Sequence, residues 1–109
     1  MKSVNDIDNQ FGLSQKSIDS ICGVFKLYPE IEEVIIYGSR SKGNYSTGSD
    51  IDFALKGKNV NRDTVSKIKN ILEEELPLPY FFDITDFNSI KNPDLIEHIN
   101  RVGKIFFKK

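Results

Sequence analysis

Apolar residues recur every three or four positions between residues 18 and 25, and this spacing predicts the first helix of the chain. Ser14 stands where an N-cap is expected. The helix is predicted to end near Tyr28, because Pro29 disfavours helical geometry in the residue before it. The preceding segment, residues 1–12, is polar and is expected to be loosely ordered.

Four apolar runs have the spacing of strands. Residues 34–37 are apolar in succession, which predicts a central strand covered on both faces. In residues 51–55, Ile, Phe and Leu alternate with Asp and Ala, so one face is expected to join the core while the other carries carboxylates. Residues 80–87 repeat this alternation, with Asp83 on the face opposite to that of its two apolar neighbours. Residues 104–107 are expected to form a short final strand.

Two further helices are predicted from apolar spacing, over residues 61–76 and 92–102. The first is expected to close at Pro77 and to place its three glutamates, residues 73–75, in solvent, while Asn92 caps the second. The first two strands are joined by a link too short for a full helical crossover, which favours a mixed or antiparallel sheet. We therefore predict a single domain over residues 1–109 of the α/β (α+β) class, a small mixed sheet with flanking helices.

Composition narrows the range of functions. The formal net charge of −1 argues against direct nucleic-acid binding, which needs a basic excess or stripe, but leaves a bound nucleotide open. The single cysteine excludes an internal disulfide and fits a reducing compartment. Nothing approaches the ~20 apolar residues of a membrane span, so a cytoplasmic location is expected. With 109 residues, little room remains for a module that recognises a second substrate.

Asp50 and Asp52 are separated by one residue at the start of the second predicted strand. Their side chains would share a face about 6.5 to 7 Å apart and repel each other unless a cation lies between them. Such hard oxygen ligands suit Mg²⁺. Asp83, from a later strand, could complete a pair of ions ~3.5 to 4 Å apart, the arrangement used for in-line displacement at phosphorus.

Gly38 and Ser39 end the first predicted strand, ten residues before Asp50. If a short helix begins at Ser39, its free N–H groups and the serine hydroxyl form an anion site. The preceding glycine would let a triphosphate approach the backbone closely. Arg40 and Lys42 add positive charge beside it. Each signal alone is weak, because Gly-rich loops are usually turns and Asp-x-Asp is often a solvated strand end, but together they indicate one site.

Rival motifs fail on particular residues. The "GSRSKG" stretch has the spacing of a P-loop, but Asn44 and Tyr45 stand where Lys and Ser or Thr are needed. "DIDFA" lacks the third oxygen ligand and the glycine of a Ca²⁺ loop. His98 is the only histidine and is expected to be a surface or partly packed residue. Asp86 is an alternative to Asp83 as the third carboxylate, but its position at the end of the strand is more typical of a cap or a turn residue.

The pattern of Gly38-Ser39, ten residues, Asp50-x-Asp52 and a later Asp83 resembles the nucleotidyltransferase signature of the DNA polymerase β superfamily. The small size and the carboxy-terminal part are similar to those of minimal nucleotidyltransferases encoded beside a HEPN-type helical partner. The resemblance covers the chain from about Ile18 to its end. It implies a polymerase β palm-like fold.

This resemblance implies that Asp50 and Asp52 hold Mg²⁺ on the nucleotide phosphates, while Asp83 helps to bind a second ion and prepares the attacking hydroxyl. It assigns nucleotide binding to five residues, namely Gly38, Ser39, Arg40, Lys42 and Ser49. The implied reaction moves an NMP, AMP if ATP is the substrate, onto a hydroxyl of the HEPN-type partner. The chain would then be the antitoxin of a toxin–antitoxin pair, in a homo- or hetero-oligomer.

Two other functions stay open at this point. The fold could mask its partner as a non-catalytic binding module with an idle acidic site. Alternatively, it could transfer the nucleotide to a small molecule of the aminoglycoside type, which in so short a chain would require an acceptor pocket built by dimerisation.

Overall fold

The structure is a computed structural model, and it describes residues 10–43, 50–76 and 78–109. The predicted closing residue Pro77 and most of the segment expected to be loose, residues 1–9, lie outside this description. The helices and strands follow in chain order: α1 (Gln15–Lys26), β1 (Glu33–Tyr37), α2 (Ser39–Lys42), β2 (Ile51–Lys56), α3 (Arg62–Asn70), β3 (Phe82–Asp86), α4 (Pro93–Val102) and β4 (Lys104–Lys108).

The four strands form one mixed sheet in the order β3-β2-β1-β4. Strand β1 is antiparallel to both β2 and β4, whereas β2 is parallel to β3. The predicted mixed sheet with flanking helices is therefore confirmed, and β1 lies inside the sheet as expected. The link between β1 and β2 contains α2, a single helical turn, which agrees with the absence of room for a crossover helix.

One face of the sheet forms the main core with α1 and α3. Phe25 of α1 and Phe53 of β2 are both fully buried, and their rings meet edge to face with centroids 5.5 Å apart. The strands contribute every second residue to this core, as the alternation predicts. Buried members from the sheet are Val34, Ile36, Ile51, Phe53, Leu55, Phe82, Ile84 and Phe107.

The opposite face is partly covered by α4, whose Ile99 forms a smaller apolar cluster with Ile35, Tyr37 and Ala54 of the sheet. The prediction that this face of β2 carries carboxylates therefore holds only for its first residues, because Ala54 is fully buried in this cluster. The carboxylates lie beyond the end of this cluster, where the face is open. Hydrophobic spacing did not reveal this division of one face into two parts.

Side-chain caps begin the helices where the sequence predicted them. Ser14 accepts a hydrogen bond from the Ser17 N–H (3.1 Å), and Asn92 accepts one from the Asp94 N–H (2.9 Å). The α3 helix begins with a reciprocal capping box formed by Asn61 and Thr64. None of the helices within the described residues is long and apolar enough to cross a membrane.

Glu73 corrects one sequence prediction. Helix α3 continues as a turn of π-helix over Ile71–Glu75, and Glu73 is half-buried there rather than simply solvated. Its carboxylate accepts a hydrogen bond from the Phe82 N–H (2.8 Å), which joins the end of this helix to the start of β3. Glu74 and Glu75 are exposed, as predicted.

Candidate functional site

Three side chains from three neighbouring strands form a row across the open face of the sheet. Asp52 of β2 is paired in register with Tyr37 of β1 on one side and with Asp83 of β3 on the other. Residues paired in this way project from the same face of a sheet. Asp50, two residues before Asp52, is exposed immediately before β2. The sheet register thus brings two of the predicted carboxylates, Asp52 and Asp83, together.

The Asp52 carboxyl carries the electrostatic signature of this arrangement. Partial burial, followed by the negative charges of Asp83 and Asp50, raises the pKa of Asp52 from its ordinary value of 3.8 to about 6. Both causes disfavour the ionised form of Asp52. Three ionised carboxylates are therefore unfavourable here without a counter-charge. A bound cation would remove this penalty.

Gly38 lies against Asp52. It adopts a positive φ of 77°, a region that favours glycine, and a β-carbon at this position would overlap with the Asp52 carboxylate oxygen Oδ2. Any larger residue would therefore displace the carboxylate. The sequence predicted that glycine was needed for approach of a triphosphate; the structure adds that it is needed for the placement of Asp52.

The helical turn α2 starts at Ser39, which is half-buried, immediately after Gly38. The Ser41 hydroxyl donates a hydrogen bond to the Gly38 carbonyl (3.0 Å), and Gly43 ends the turn in the left-handed conformation. The first N–H groups of a helical turn have no acceptor within it. Lys42 is exposed on this turn, and Ser49 lies outside the described residues.

Arg40 follows Ser39 in α2, and its part in nucleotide binding stays a prediction. Its side chain is buried, its guanidinium donates to the Phe11 carbonyl (2.8 Å), and it lies over the Tyr80 ring, 5.1 Å from the centroid. Phe11 has a positive φ of 59°, a conformation rare for such a residue, and its ring contacts Phe106. Arg40 thus joins α2 to the segment before α1 and to the segment before β3. No sequence motif marked Phe11 or Tyr80 as its partners.

Tyr37 was not identified from the sequence as part of the site. Its pKa is raised, first by burial and then by the negative charges of Asp83 and Asp52, against the lowering effect of a hydrogen bond with the Thr85 side chain. Its ring meets His98 of α4 edge to face, with centroids 6.2 Å apart. Tyr37 therefore connects the carboxylates to α4, and His98 is partly packed as predicted.

Asp86 has the structural role that its position suggested. It is buried, and its carboxylate accepts hydrogen bonds from the Asn88 N–H (3.1 Å) and the Ser89 hydroxyl (2.8 Å). It thereby caps the turn Phe87–Ser89 that follows β3. Asp83, in contrast, is exposed at the row, so the structure separates the two rival aspartates by their surroundings.

The donor set fits an open site for a hard divalent cation. In residues 10–43, 50–76 and 78–109, no group of three His, Cys, Asp or Glu side chains could hold a metal ion. Mg²⁺ does not need such a group, because it commonly keeps several waters and binds through one or two carboxylates and substrate phosphates. Paired Asp52 and Asp83, with Asp50 beside them, supply that number of carboxylates.

A known protein family matches most of the chain. The family described as "Polymerase beta, Nucleotidyltransferase" matches residues 19–109. No curated protein sequence matches the chain.

Solved structures show the same fold at low sequence identity. A toxin–antitoxin complex with AMP-PNP is similar at a TM-score of 0.69 and 20% identity, over 89% of this chain and 75% of that one. A tri-AMPylated Shewanella oneidensis HEPN toxin in complex with its MNT antitoxin gives a TM-score of 0.65 and 18% identity, over 87% and 72%. A putative nucleotidyltransferase from Sulfolobus solfataricus gives 0.52 and 20%, over 100% and 90%.

The family match covers most of the chain, including both the Gly38-Ser39 turn and the three carboxylates. The fold is similar to one found in the complex of a HEPN toxin with an MNT antitoxin. The chain belongs to the polymerase β nucleotidyltransferase family.

Proposed function

We propose that the protein is a Mg²⁺-dependent nucleotidyltransferase that moves AMP from ATP onto a hydroxyl of a HEPN-type partner protein, as the antitoxin of a toxin–antitoxin pair. The observation that carries the proposal is the contact between Gly38 and Asp52, with Asp83 in register beside Asp52. It places the turn that we propose to bind phosphate beside a pair of carboxylates. The AMP-PNP and the AMPylated toxin of the structural neighbours favour the adenine nucleotide and the protein acceptor.

Each residue has a distinct proposed role. Asp50 and Asp52 hold Mg²⁺ against the phosphates, and the backbone at Gly38 and Ser39 binds the triphosphate. When bound, Mg²⁺ neutralises the charge that develops on the phosphate oxygens. Asp83 contributes to binding of a second ion and holds the acceptor hydroxyl.

In the transfer step, the acceptor oxygen bonds to the α-phosphorus while the bond from that phosphorus to the bridging oxygen breaks. The hydroxyl loses its proton towards the Asp83 carboxylate, and pyrophosphate leaves. Lys42 and Ser49 are proposed to contact the nucleotide. For Arg40 we propose an indirect part, because its buried guanidinium holds α2 in position.

A transfer assay tests this function. The purified chain is incubated with MgCl₂, ATP labelled at the α-phosphate and the HEPN-type protein encoded beside its gene. Label is expected on that protein, and EDTA or Asp50→Ala with Asp52→Ala should abolish the transfer. Asp63→Ala, which removes an exposed carboxylate on α3 that pairs with Lys67, is the matched control and should leave it intact.

The result also separates the enzyme from a binding module. If no label moves, or if the Asp50 and Asp52 double variant transfers as well as wild type, the proposed activity is wrong. A double variant that still neutralises its partner without any transfer would indicate a non-catalytic antitoxin instead.

A further inference from the structure

Phe81 is exposed beside the carboxylates. Its exposed fraction is 73%, as large as that of Leu27, although apolar residues of this size are normally buried in a domain. The Phe81 carbonyl accepts a hydrogen bond from the Ile51 N–H (3.0 Å), which holds it next to the start of β2. Strand alternation places the Phe81 ring on the same face as Asp83.

The sheet order places Phe81 on a defined side of the site. Gly38 and Ser39 follow β1 on one side of β2, whereas Phe81 and Asp83 belong to the β3 side. In an in-line displacement the attacking and leaving oxygens are on opposite sides of phosphorus. If the triphosphate is held at Gly38 and Ser39, the acceptor arrives from the β3 side, where Phe81 stands.

A shallow depression continues from Phe81 along the segment before β3. It is lined by Glu73, Glu74, Leu78, Pro79, Tyr80 and Phe81. The lining is apolar and aromatic with two glutamates, and the Glu73 carboxylate is already bonded to the Phe82 N–H. Glu74 is exposed and leaves one negative charge available at the rim.

We propose that Phe81 and this depression form the docking surface for the acceptor protein. The occupant is the segment of the acceptor next to the modified hydroxyl, with an apolar residue for Phe81 and a Lys or Arg for Glu74. This inference rests on the proposed function, because it names where the acceptor of that reaction binds. It assigns Phe81 to acceptor specificity and not to nucleotide binding.

Substitution of Phe81 tests the assignment. Phe81→Ala is compared with Leu27→Ala, a matched control that removes an equally exposed apolar side chain at the end of α1. The readouts are calorimetric binding of the neighbouring-gene HEPN-type protein without nucleotide, and the KM values for that protein and for ATP. Phe81→Ala is expected to weaken acceptor binding about tenfold, as for a central contact residue, while its ATP KM stays within about twofold.

Two results would overturn the docking proposal. One is an acceptor affinity of Phe81→Ala equal to that of Leu27→Ala. The other is a weakened ATP affinity with unchanged acceptor affinity, which would place the nucleobase on Phe81 instead.

A charge reversal tests the second half of the proposal. Glu74→Lys is expected to weaken acceptor binding at low salt, with a smaller difference at high salt where charges are screened. Glu97→Lys makes the same charge change at an exposed position of α4 and should have no such effect. An equal loss in both variants would show that net charge, and not this rim, is responsible.

Failure of the docking proposal is distinguishable from failure of the proposed function. If Phe81→Ala transfers label and binds the acceptor with normal affinity, the proposed activity stands and the docking surface is rejected. If acceptor binding depends on Phe81 but no label is transferred, the docking surface stands and the proposed activity is rejected.

Discussion

Gly38 lies so close to the Asp52 side chain that no room remains between them for one additional carbon atom. A β-carbon on residue 38 would overlap with Oδ2 of Asp52, and the positive φ of 77° at Gly38 independently disfavours any side chain there. The turn proposed to bind phosphate and the carboxylate proposed to bind metal are therefore in direct contact. A change in one must alter the other.

Gly38→Ala should disrupt the site as well as the backbone. We expect a loss of about 1 to 3 kcal/mol in the free energy of unfolding from the strained conformation, and loss of Mg²⁺-dependent nucleotide binding because Asp52 is displaced. Urea denaturation and calorimetric titration with Mg²⁺ and AMP-PNP measure the two effects.

Gly43→Ala is the matched control for this change. Gly43 also has a positive φ of 85°, but nothing lies within 4 Å of the position of its β-carbon. It should lose stability by backbone strain and keep nucleotide binding. Equal loss of binding in both variants would contradict a specific contact between Gly38 and Asp52.

The contribution of Asp52 to the stability of the metal-free protein should fall as pH rises from 3.8 to about 6. Over this window the raised pKa of Asp52 makes the folded chain bind its proton more tightly than the unfolded chain, so the free energy of unfolding decreases with pH. Asp52→Asn should remove this component and be more stable than wild type at neutral pH in EDTA. Urea denaturation at a series of pH values checks both expectations.

Adding Mg²⁺ should stabilise wild type relative to Asp52→Asn, which is the opposite of the order expected in EDTA. Because the cation offsets the repulsion among Asp50, Asp52 and Asp83, we expect MgCl₂ to raise the melting temperature of wild type more than that of Asp52→Asn. Thermal unfolding with and without EDTA measures the difference. The same response in both proteins would argue against a cation at Asp52.

Asp83 and Asp86 should differ in the property that they control. Asp83→Asn is expected to reduce nucleotide transfer by roughly 10- to 100-fold or more, as for loss of a metal-site carboxylate, with little change in stability because Asp83 is exposed. Asp86→Ala should leave the folded protein active but lose about 0.5 to 2 kcal/mol of stability with its cap. Transfer assays and denaturation of both variants distinguish the roles; the opposite pattern would exchange them.

Arg40 and Lys42 should likewise differ, because Arg40 is expected to affect stability and Lys42 to affect ATP binding. Arg40→Ala removes a buried guanidinium that donates to the Phe11 carbonyl, which is expected to cost about 1 to 3 kcal/mol. Lys42→Ala removes an exposed charge and should stay within about 0.5 kcal/mol of wild type, with weaker ATP binding. A normal ATP affinity in Lys42→Ala would remove that residue from the proposed site.

Much of the fold was predictable because local signals and tertiary packing agree. The caps at Ser14 and Asn92 and the alternation in β2 specify elements whose apolar residues pack on the two faces of one sheet. The burial of Ala54 in a cluster with Ile99 of α4 was not predictable, because a helix spacing does not tell which face of a sheet the helix will cover. Glu73 was misjudged for a similar reason, since its acceptor role depends on where β3 begins.

The sequence by itself indicated which residues we propose for the chemistry. Gly38, Ser39, Asp50 and Asp52 were identified by their spacing, because strand periodicity fixes which side chains share a face. Asp83 was chosen over Asp86 by its place within an apolar strand.

Only the tertiary structure decided how these residues meet. The pairing of Asp52 with Asp83 depends on the register of two strands that are separate in sequence, and no local pattern specifies that register. The contact of Gly38 with Asp52, the burial of Arg40 and the exposure of Phe81 likewise depend on packing between distant segments. Local spacing identified the candidate residues. Long-range strand pairing decided which of them are neighbours, because contacts across a sheet depend on how distant strands pair and not on local sequence.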